Sequence, residues 1–267
     1  MKVITLINGT LISETSSIYA LYYAKNLGLN LSLIHIKSKD SLDMVARVAE
    51  DIQKLARSLG VEAEFVLYDS LDELRELVDK ENIDIIFSST KHKHSFFDKS
   101  FAKTLIRMNM KVDLALVKVV KLGMSDIEKI ILPIRGDQLS VKKFAFFSAF
   151  VKAYEANSEI FSVDKISKKN SIALNAKTVK KRLATITFHL RHYFRLATLM
   201  DFKFSMKHHF AYIEGEDVQS HIAKNGYDLA IVGGHHDTSF FQHHPIDVLF
   251  YAPMINAIYF IPYKDEL

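Results

Sequence analysis

The feature that most constrains this chain is an order of elements written twice. An apolar run over Val3 to Ile7 leads into Asn8-Gly9-Thr10, after which Ile18, Leu21, Tyr22 and Leu27 recur at roughly helical spacing. LSLIHI then reads as a strand, 41 to 59 as a helix ended by Gly60, and VEAEFVLY as a third strand. A short helix over Leu71 to Lys80, the strand IDIIFSS, a helix over Phe97 to Met108 and the strand VDLALVKV complete the first series. After Lys121-Leu122-Gly123 the order restarts with IEKIILPI, the turn Arg135-Gly136-Asp137, a helix to about Ala156, the strand SEIFSVD and a long helix from Ser171 to Met200. FKFSMKHHF, a short helix over Asp217 to Lys224, DLAIVGG, a helix over Pro245 to Tyr251 and INAIYFI close it. Strands separated by helices predict parallel pairing, because each crossover needs a helix to return the chain. The expected class is therefore α/β, with two tandem doubly wound five-stranded parallel sheets of strand order 3-2-1-4-5, over residues 1–121 and 125–267.

The repetition reaches individual residues. His92-Lys93-His94-Ser95-Phe96-Phe97 follows the fourth strand of the first series as His236-Asp237-Thr238-Ser239-Phe240-Phe241 follows that of the second. Ser95 and Ser239 are placed to cap the next helix and the phenylalanines to anchor it in the core. The fifth strands LALVKV and NAIYFI would be bare apolar edges on their own, so they are expected to pair or pack with each other inside one chain.

In an open parallel sheet, ligands sit beyond the carboxyl ends of the strands where the chain order reverses, here between strands one and four. The walls of that crevice would be Asn8, Gly9 and Thr10 with Ser88, Ser89 and Thr90 in the first half. In the second half they would be Arg135, Gly136 and Asp137 with Gly233, Gly234, His235 and His236.

The element order, the Asn8-Gly9-Thr10 turn, Leu33-Ile34-His35-Ile36 in strand two, the strand DLAIVGG and Ala252-Pro253 before the last strand together resemble a tandem universal stress protein. The resemblance implies an adenine-nucleotide-hydrolase-like fold, with the two domains facing across their fifth strands as an intramolecular pseudo-dimer. Nucleotide-binding members of that family carry Gly, two residues, Gly, nine residues and Gly-Ser or Gly-Thr after strand four. Such a loop lets backbone amides approach phosphates without steric cost. Here Gly233 begins such a loop, but His236 stands where the next glycine falls, and no Gly-Ser precedes Ala252-Pro253. The first half has no glycine in that loop, and the family's acid after strand one is replaced by Asn8 and by Arg135. The expectation is a pair of degenerate pockets, with ATP or AMP held, if at all, by an altered second pocket in which Arg135 meets a phosphate.

Twelve histidines include the close sets His92/His94, His208/His209, His235/His236 and His243/His244. Imidazoles at such spacing can share zinc or nickel, with His92, His94, His235 and His236 the candidates, or register acid pH together. The plainer reading is solvated loop histidines. Only His189 and His192 lie three apart on a helix, and no His-x-x-x-His spacing stands out. On the long helix, Ile172, Val179, Leu183, Ile186, Leu190 and Ala197 make one stripe, and Lys177, Lys180, Lys181, Arg191 and Arg195 the opposite one. From Lys165 to Arg195 there are nine basic residues and no acid, against a net charge of +4 for the whole chain. Besides an ordinary solvated face, that stripe fits an acidic protein or an anionic membrane surface.

The modest net charge argues against a dedicated nucleic-acid binder. The absence of cysteine excludes disulfides and thiolate chemistry and fits a reducing cytosol. No stretch is long and apolar enough for a membrane span or a signal segment. Without an entry signal, the terminal Lys264-Asp265-Glu266-Leu267 is read as a coincidental retrieval address. No P-loop, Gly-x-Ser-x-Gly elbow or carboxylate pair beside a nucleophile is present. The expected function is thus a cytosolic, non-enzymatic stress-response or signalling module, with a nucleotide switch or weak ATPase, and a metal or pH sensor, as alternatives.

Overall fold

A computed structural model describes residues 1–38, 40–90, 101–122, 126–166, 176–234 and 254–263. The first half contributes β1 (Lys2–Leu6), α1 (Leu11–Leu27), β2 (Asn30–Ile36), α2 (Leu42–Ser58), β3 (Ala63–Tyr68), α3 (Leu71–Lys80), β4 (Ile83–Thr90), α4 (Phe101–Met108) and β5 (Asp113–Lys118). The second contributes β6 (Lys129–Arg135), α5 (Val141–Tyr154), β7 (Asn157–Lys165), α6 (Ala176–Leu199), β8 (Ser205–Ala211), α7 (Glu214–Asn225), β9 (Leu229–Gly233) and β10 (Asn256–Ile261).

The strands form one ten-stranded sheet of order β3-β2-β1-β4-β5-β10-β9-β6-β7-β8. Each set of five has the expected 3-2-1-4-5 order with parallel pairing, and the sets do not remain separate sheets. β5 and β10 pair antiparallel through Ala257↔Lys118 to Ile261↔Leu114, which removes both apolar edges at once. Helices α1, α2, α5 and α6 cover one face, where their apolar residues join a single core. Helices α3, α4 and α7 cover the other.

The local signals are those of ordinary capping chemistry. Thr10 caps α1 by accepting from the Ser13 amide, and Ser140 caps α5 by accepting from Lys143. Two boundaries of the second half differ from the sequence reading: α7 begins at Glu214, not Asp217, and β8 begins at Ser205, not Phe202. Asp201, at φ 53°, ends α6 in a left-handed cap, and the Phe202 amide bonds back to the Ala197 carbonyl, so that turn takes the strand's expected first residues.

The halves are locked by aromatic packing of α1 on α5 over the central strands. Tyr22 stacks on Tyr154 with centroids 4.6 Å apart and Tyr23 packs on Phe146 at 5.4 Å, while Phe146 stacks in turn on Phe260 of its own half at 4.3 Å. Tyr19, Phe87, Phe147 and Phe150 are fully buried around them, and each buried ring contributes about 2–3 kcal/mol of transfer free energy.

Candidate functional site

In the first half the strand register places the expected walls side by side, with Leu6 of β1 level with Ser88 of β4, so that Ser89 and Thr90 run past the Asn8-Gly9 turn. Their polar atoms are engaged within the protein. The Asn8 Oδ1 accepts from the Thr10 amide at 3.2 Å and from its hydroxyl at 2.7 Å, which closes the turn and orients the cap of α1. Gly9 adopts φ +75°, and a Cβ there would lie 3.0 Å from Met44 Cβ and from the Val45 amide nitrogen, so the turn is pressed onto the start of α2. Thr90 donates its hydroxyl to the Val117 carbonyl at 3.3 Å. His35, which enters the sequence argument only as part of a strand, is buried beside β1 with Nδ1 2.9 Å from the Ile7 carbonyl. A carbonyl only accepts, so Nδ1 carries a proton, and the buried Nε2 has no hydrogen-bond partner among the described residues.

Lys118 ends β5 one strand away, in register with Thr90. Burial lowers its ammonium to about 8.

The second crevice is built differently. Pro133 sits inside β6 with no N–H to give. The ladder to β7 continues to Arg135↔Val163, whereas that to β9 stops at Ile131↔Ala230. The two strands that frame the crevice therefore part early. Gly233 lies at that opening, and a Cβ on it would fall 2.7 Å from Lys143 Cε and 3.2 Å from Nζ, so the stem and ammonium of Lys143, the third residue of α5, occupy the space the glycine leaves. Gly234 has a separate reason: its amide donates to the Phe260 carbonyl at 2.7 Å, and a Cβ would fall 2.1 Å from the Tyr259 ring.

Arg135 projects from the end of β6 and donates Nε–H to Glu214 Oε1 at 2.9 Å. The Glu214 side chain is 1 % exposed against 44 % for Arg135, and its Oε2 has no hydrogen-bond partner among the described residues. Gly136, at φ +54°, turns the chain, donates to the Val163 carbonyl at 2.8 Å and accepts the Ser162 hydroxyl at 2.5 Å. Asp137 pairs with His189 of α6, and the Leu139 carbonyl accepts the Tyr193 hydroxyl. Helix α6 thus clamps the turn that walls the crevice. His192, the expected neighbour of His189, lies instead against Tyr193, with ring centroids 3.9 Å apart and planes tilted by 41°.

Sequence reasoning missed Lys143, Glu214 and Tyr259. The signals available were a lysine in the first turn of α5, three acids within the first turn of α7, and a glycine pair opposite a large aromatic in the next strand. His92, His94, His235, His236, His243 and His244 lie outside the described residues, and so does the terminal tetrapeptide. Among the described residues, no three His, Asp or Glu side chains converge as a metal would require, and no helix is long and apolar enough to cross a membrane. Two clefts among the described residues lie elsewhere. One of about 840 Å³ sits at the opposite rim between the ends of α5 and α6, lined by Phe202, Phe204 and Lys203. One of about 320 Å³ lies between β8 and α7 beside Phe161 and His221.

No protein-family model matches the chain, and no curated protein matches it in sequence. Among solved structures it is similar to a universal stress protein from Archaeoglobus fulgidus, with 11 % identity and a TM-score of 0.60 over 96 % of this chain and 97 % of that one. It is also similar to the cytoplasmic domain of a prokaryotic cation chloride cotransporter, with 9 % identity and a TM-score of 0.59 over 99 % and 97 % of the two chains. A third likeness, to a functionally unknown protein from Pseudomonas aeruginosa, has 11 % identity and a TM-score of 0.59 over 98 % of this chain and 92 % of that one. At such identities the likeness is one of architecture, and the chain has the α/β fold seen in universal stress proteins.

Proposed function

We propose that this chain is a universal-stress-type binding module of two tandem domains, 1–121 and 125–267, that acts in a cytosolic stress response through ligand or partner binding and not through catalysis. The observation that carries the reading is the use made of the crevice residues. Gly9, Gly233 and Gly234 each make room for another part of the protein, and the Asn8 carbonyl closes its own turn. Phosphate-gripping loops need backbone left bare for the ligand, and these glycines are already packed against side chains or helix backbone.

One observation favours a second reading, an altered nucleotide or anion site in the second half acting as a switch or weak ATPase. Lys143 reaches Gly233 from α5, and Arg135 reaches out towards α7, so a cation lies to either side of strands that part at Pro133. Such an arrangement suits phosphate oxygens more than an adenine ring. A metal or pH sensor through His92, His94, His235 and His236 is a third proposal, tested by zinc titration of the whole chain.

The deciding experiment is native mass spectrometry of the purified chain combined with thermal shift in ATP, AMP and inorganic phosphate. A bare mass and an unmoved melting temperature are expected. A copurifying adenine nucleotide, or a shift abolished by Lys143→Ala, would replace the first reading by the second.

A further inference from the structure

Helix α6 carries a charge pattern that its own folding does not explain. It buries Ile186, Leu190, Tyr193 and Ala197. At 100° per residue, Lys177, Lys181, Phe188, Arg191, Arg195 and Leu199 fall on the opposite side within roughly 80° of arc, along a line of about 33 Å. The helix has no acid in any of its 24 residues. Its three lysines stand at the amino-terminal end and its last turn is without a base, so the charges oppose the helix macrodipole instead of complementing it. A local rule broken along a whole exposed face marks a functional surface.

Among the described residues, two acids pair with the helix on its flank, and the exposed Asp201 lies past its carboxyl end. Asp164 is held by Arg182, with Nη2 to Oδ1 at 2.6 Å, and Asp137 by His189, both on the inner flank. What remains outward is cationic, interleaved with two large apolar groups. Phe188 is 56 % exposed with the Arg191 guanidinium 4.0 Å above its ring, and Leu199 is 82 % exposed.

From this arrangement we propose that the outer face of α6 docks on an anionic lipid surface. The proposal deepens the reading of the chain as a binding module by assigning it a partner. A helix presents an outward-curving face, and the one described cleft that reaches α6 touches only its carboxyl end at Thr198, so the line itself offers no pocket for the buried anchor that a protein interface is built around. A plane of negative headgroups meets a straight basic ridge along its whole length, and bulky apolar side chains between the cations enter the headgroup boundary. With no carboxylate on the ridge, nothing opposes a surface that is negative everywhere.

The test is cosedimentation of the full chain with phosphatidylcholine vesicles, with and without phosphatidylserine. Binding is expected only to the phosphatidylserine vesicles at low ionic strength, with release as salt is raised. Lys177→Gln/Lys181→Gln/Arg191→Gln/Arg195→Gln should lower the partition coefficient on the order of a hundredfold or more while circular dichroism stays native. If that variant loses its fold, Lys177→Gln/Lys181→Gln should still lower partitioning by more than about tenfold. Phe188→Ser should weaken binding several-fold without altering its dependence on salt. Absence of binding at low ionic strength, or variants that bind like the parent, would overturn the proposal. So would displacement from vesicles by soluble polyglutamate at equal charge, which would assign the face to an acidic polypeptide. None of these outcomes depends on whether a nucleotide enters either crevice, so failure here leaves the thermal-shift result standing.

Discussion

The side-chain amide of Asn256 and the hydroxyl of Tyr19, 237 residues apart in the chain, meet at 2.8 Å where the two halves join. Asn256 is fully buried at the start of β10. Its oxygen accepts from the Val120 and Lys121 amides at 2.7 and 2.8 Å, and its nitrogen also donates to the Lys121 carbonyl at 3.0 Å. Every donor and acceptor of the amide is used, so one side chain fixes β10, α1 and the segment that leaves β5.

Replacing Asn256 by Leu strands the half-buried Val120 amide and the more exposed Lys121 amide at the junction, for an expected loss of about 1–3 kcal/mol. Tyr19→Phe removes one hydrogen bond and should cost about 1 kcal/mol. Urea unfolding of the two single variants and the double variant measures both and their coupling. A loss for Asn256→Leu no larger than that for Tyr19→Phe would contradict this account of the junction.

The glycine pair of β9 separates into two predictions. Gly234→Ala drives a methyl into the Tyr259 ring and should destabilise by roughly 1–3 kcal/mol, with part recovered by adding Tyr259→Leu. Gly233→Ala meets only the far end of a lysine, which can swing aside, and should stay within about 1 kcal/mol. Thermal denaturation of the three variants checks the order.

Glu214 is buried and Arg135 is its recorded hydrogen-bond donor. Arg135→Gln should therefore cost about 2 kcal/mol, below the range for a wholly buried pair because the arginine is partly solvated. Glu214→Gln in that background should restore part of the loss. Equal stability of Arg135→Gln and the parent in urea would show that the pair contributes nothing.

Lys118 gives an alkaline signature. Its ammonium is lowered from 10.5 to about 8 by burial, so the folded protein holds a disfavoured charge below pH 8. Between pH 8 and 10.5 the unfolded chain binds more protons at this site, so its contribution to stability rises with pH. Lys118→Met should stabilise at pH 7 by on the order of 1–3 kcal/mol, and the advantage should vanish near pH 10.5. An advantage constant across that interval would refute the assignment.

Glu159 gives the acid counterpart. Burial works to raise its carboxyl, but hydrogen bonds from Lys207, Tyr227 and His221 together hold it below 4.5. A depressed carboxyl contributes stability that is fully present above its unfolded value and is lost as pH falls through the folded one. The gap in stability between the parent and Glu159→Gln should accordingly narrow below about pH 4.5, as read by urea unfolding at several pH values.

The fold was largely legible because its signal is a period that hydrophobic residues repeat strand after strand; α3 falls on Leu71–Lys80 as the pattern requires. The pairing of β5 with β10 was legible too, since two apolar strands such as LALVKV and NAIYFI have no stable existence as open edges. The site was legible only as a place. Register brings Leu6 level with Ser88 at the foot of the turn, and the closure of the Asn8 carbonyl on Thr10 is a local turn that Asn-Gly-Thr permits without announcing. Nor can spacing show that a lysine 90 positions earlier fills the notch at Gly233, or that Glu214 lies under Arg135, because those contacts are made between elements far apart in the chain.

The strand at the middle of the sheet, β10, is the last of the described elements in chain order. Until Asn256–Ile261 leave the ribosome, β5 on one side and β9 on the other have no neighbour there, and Leu114, Leu116, Ala230 and Val232 stand beside an open seam. The nascent chain therefore carries one apolar border from Lys118 onward and a second from Gly233, until one short insertion closes both.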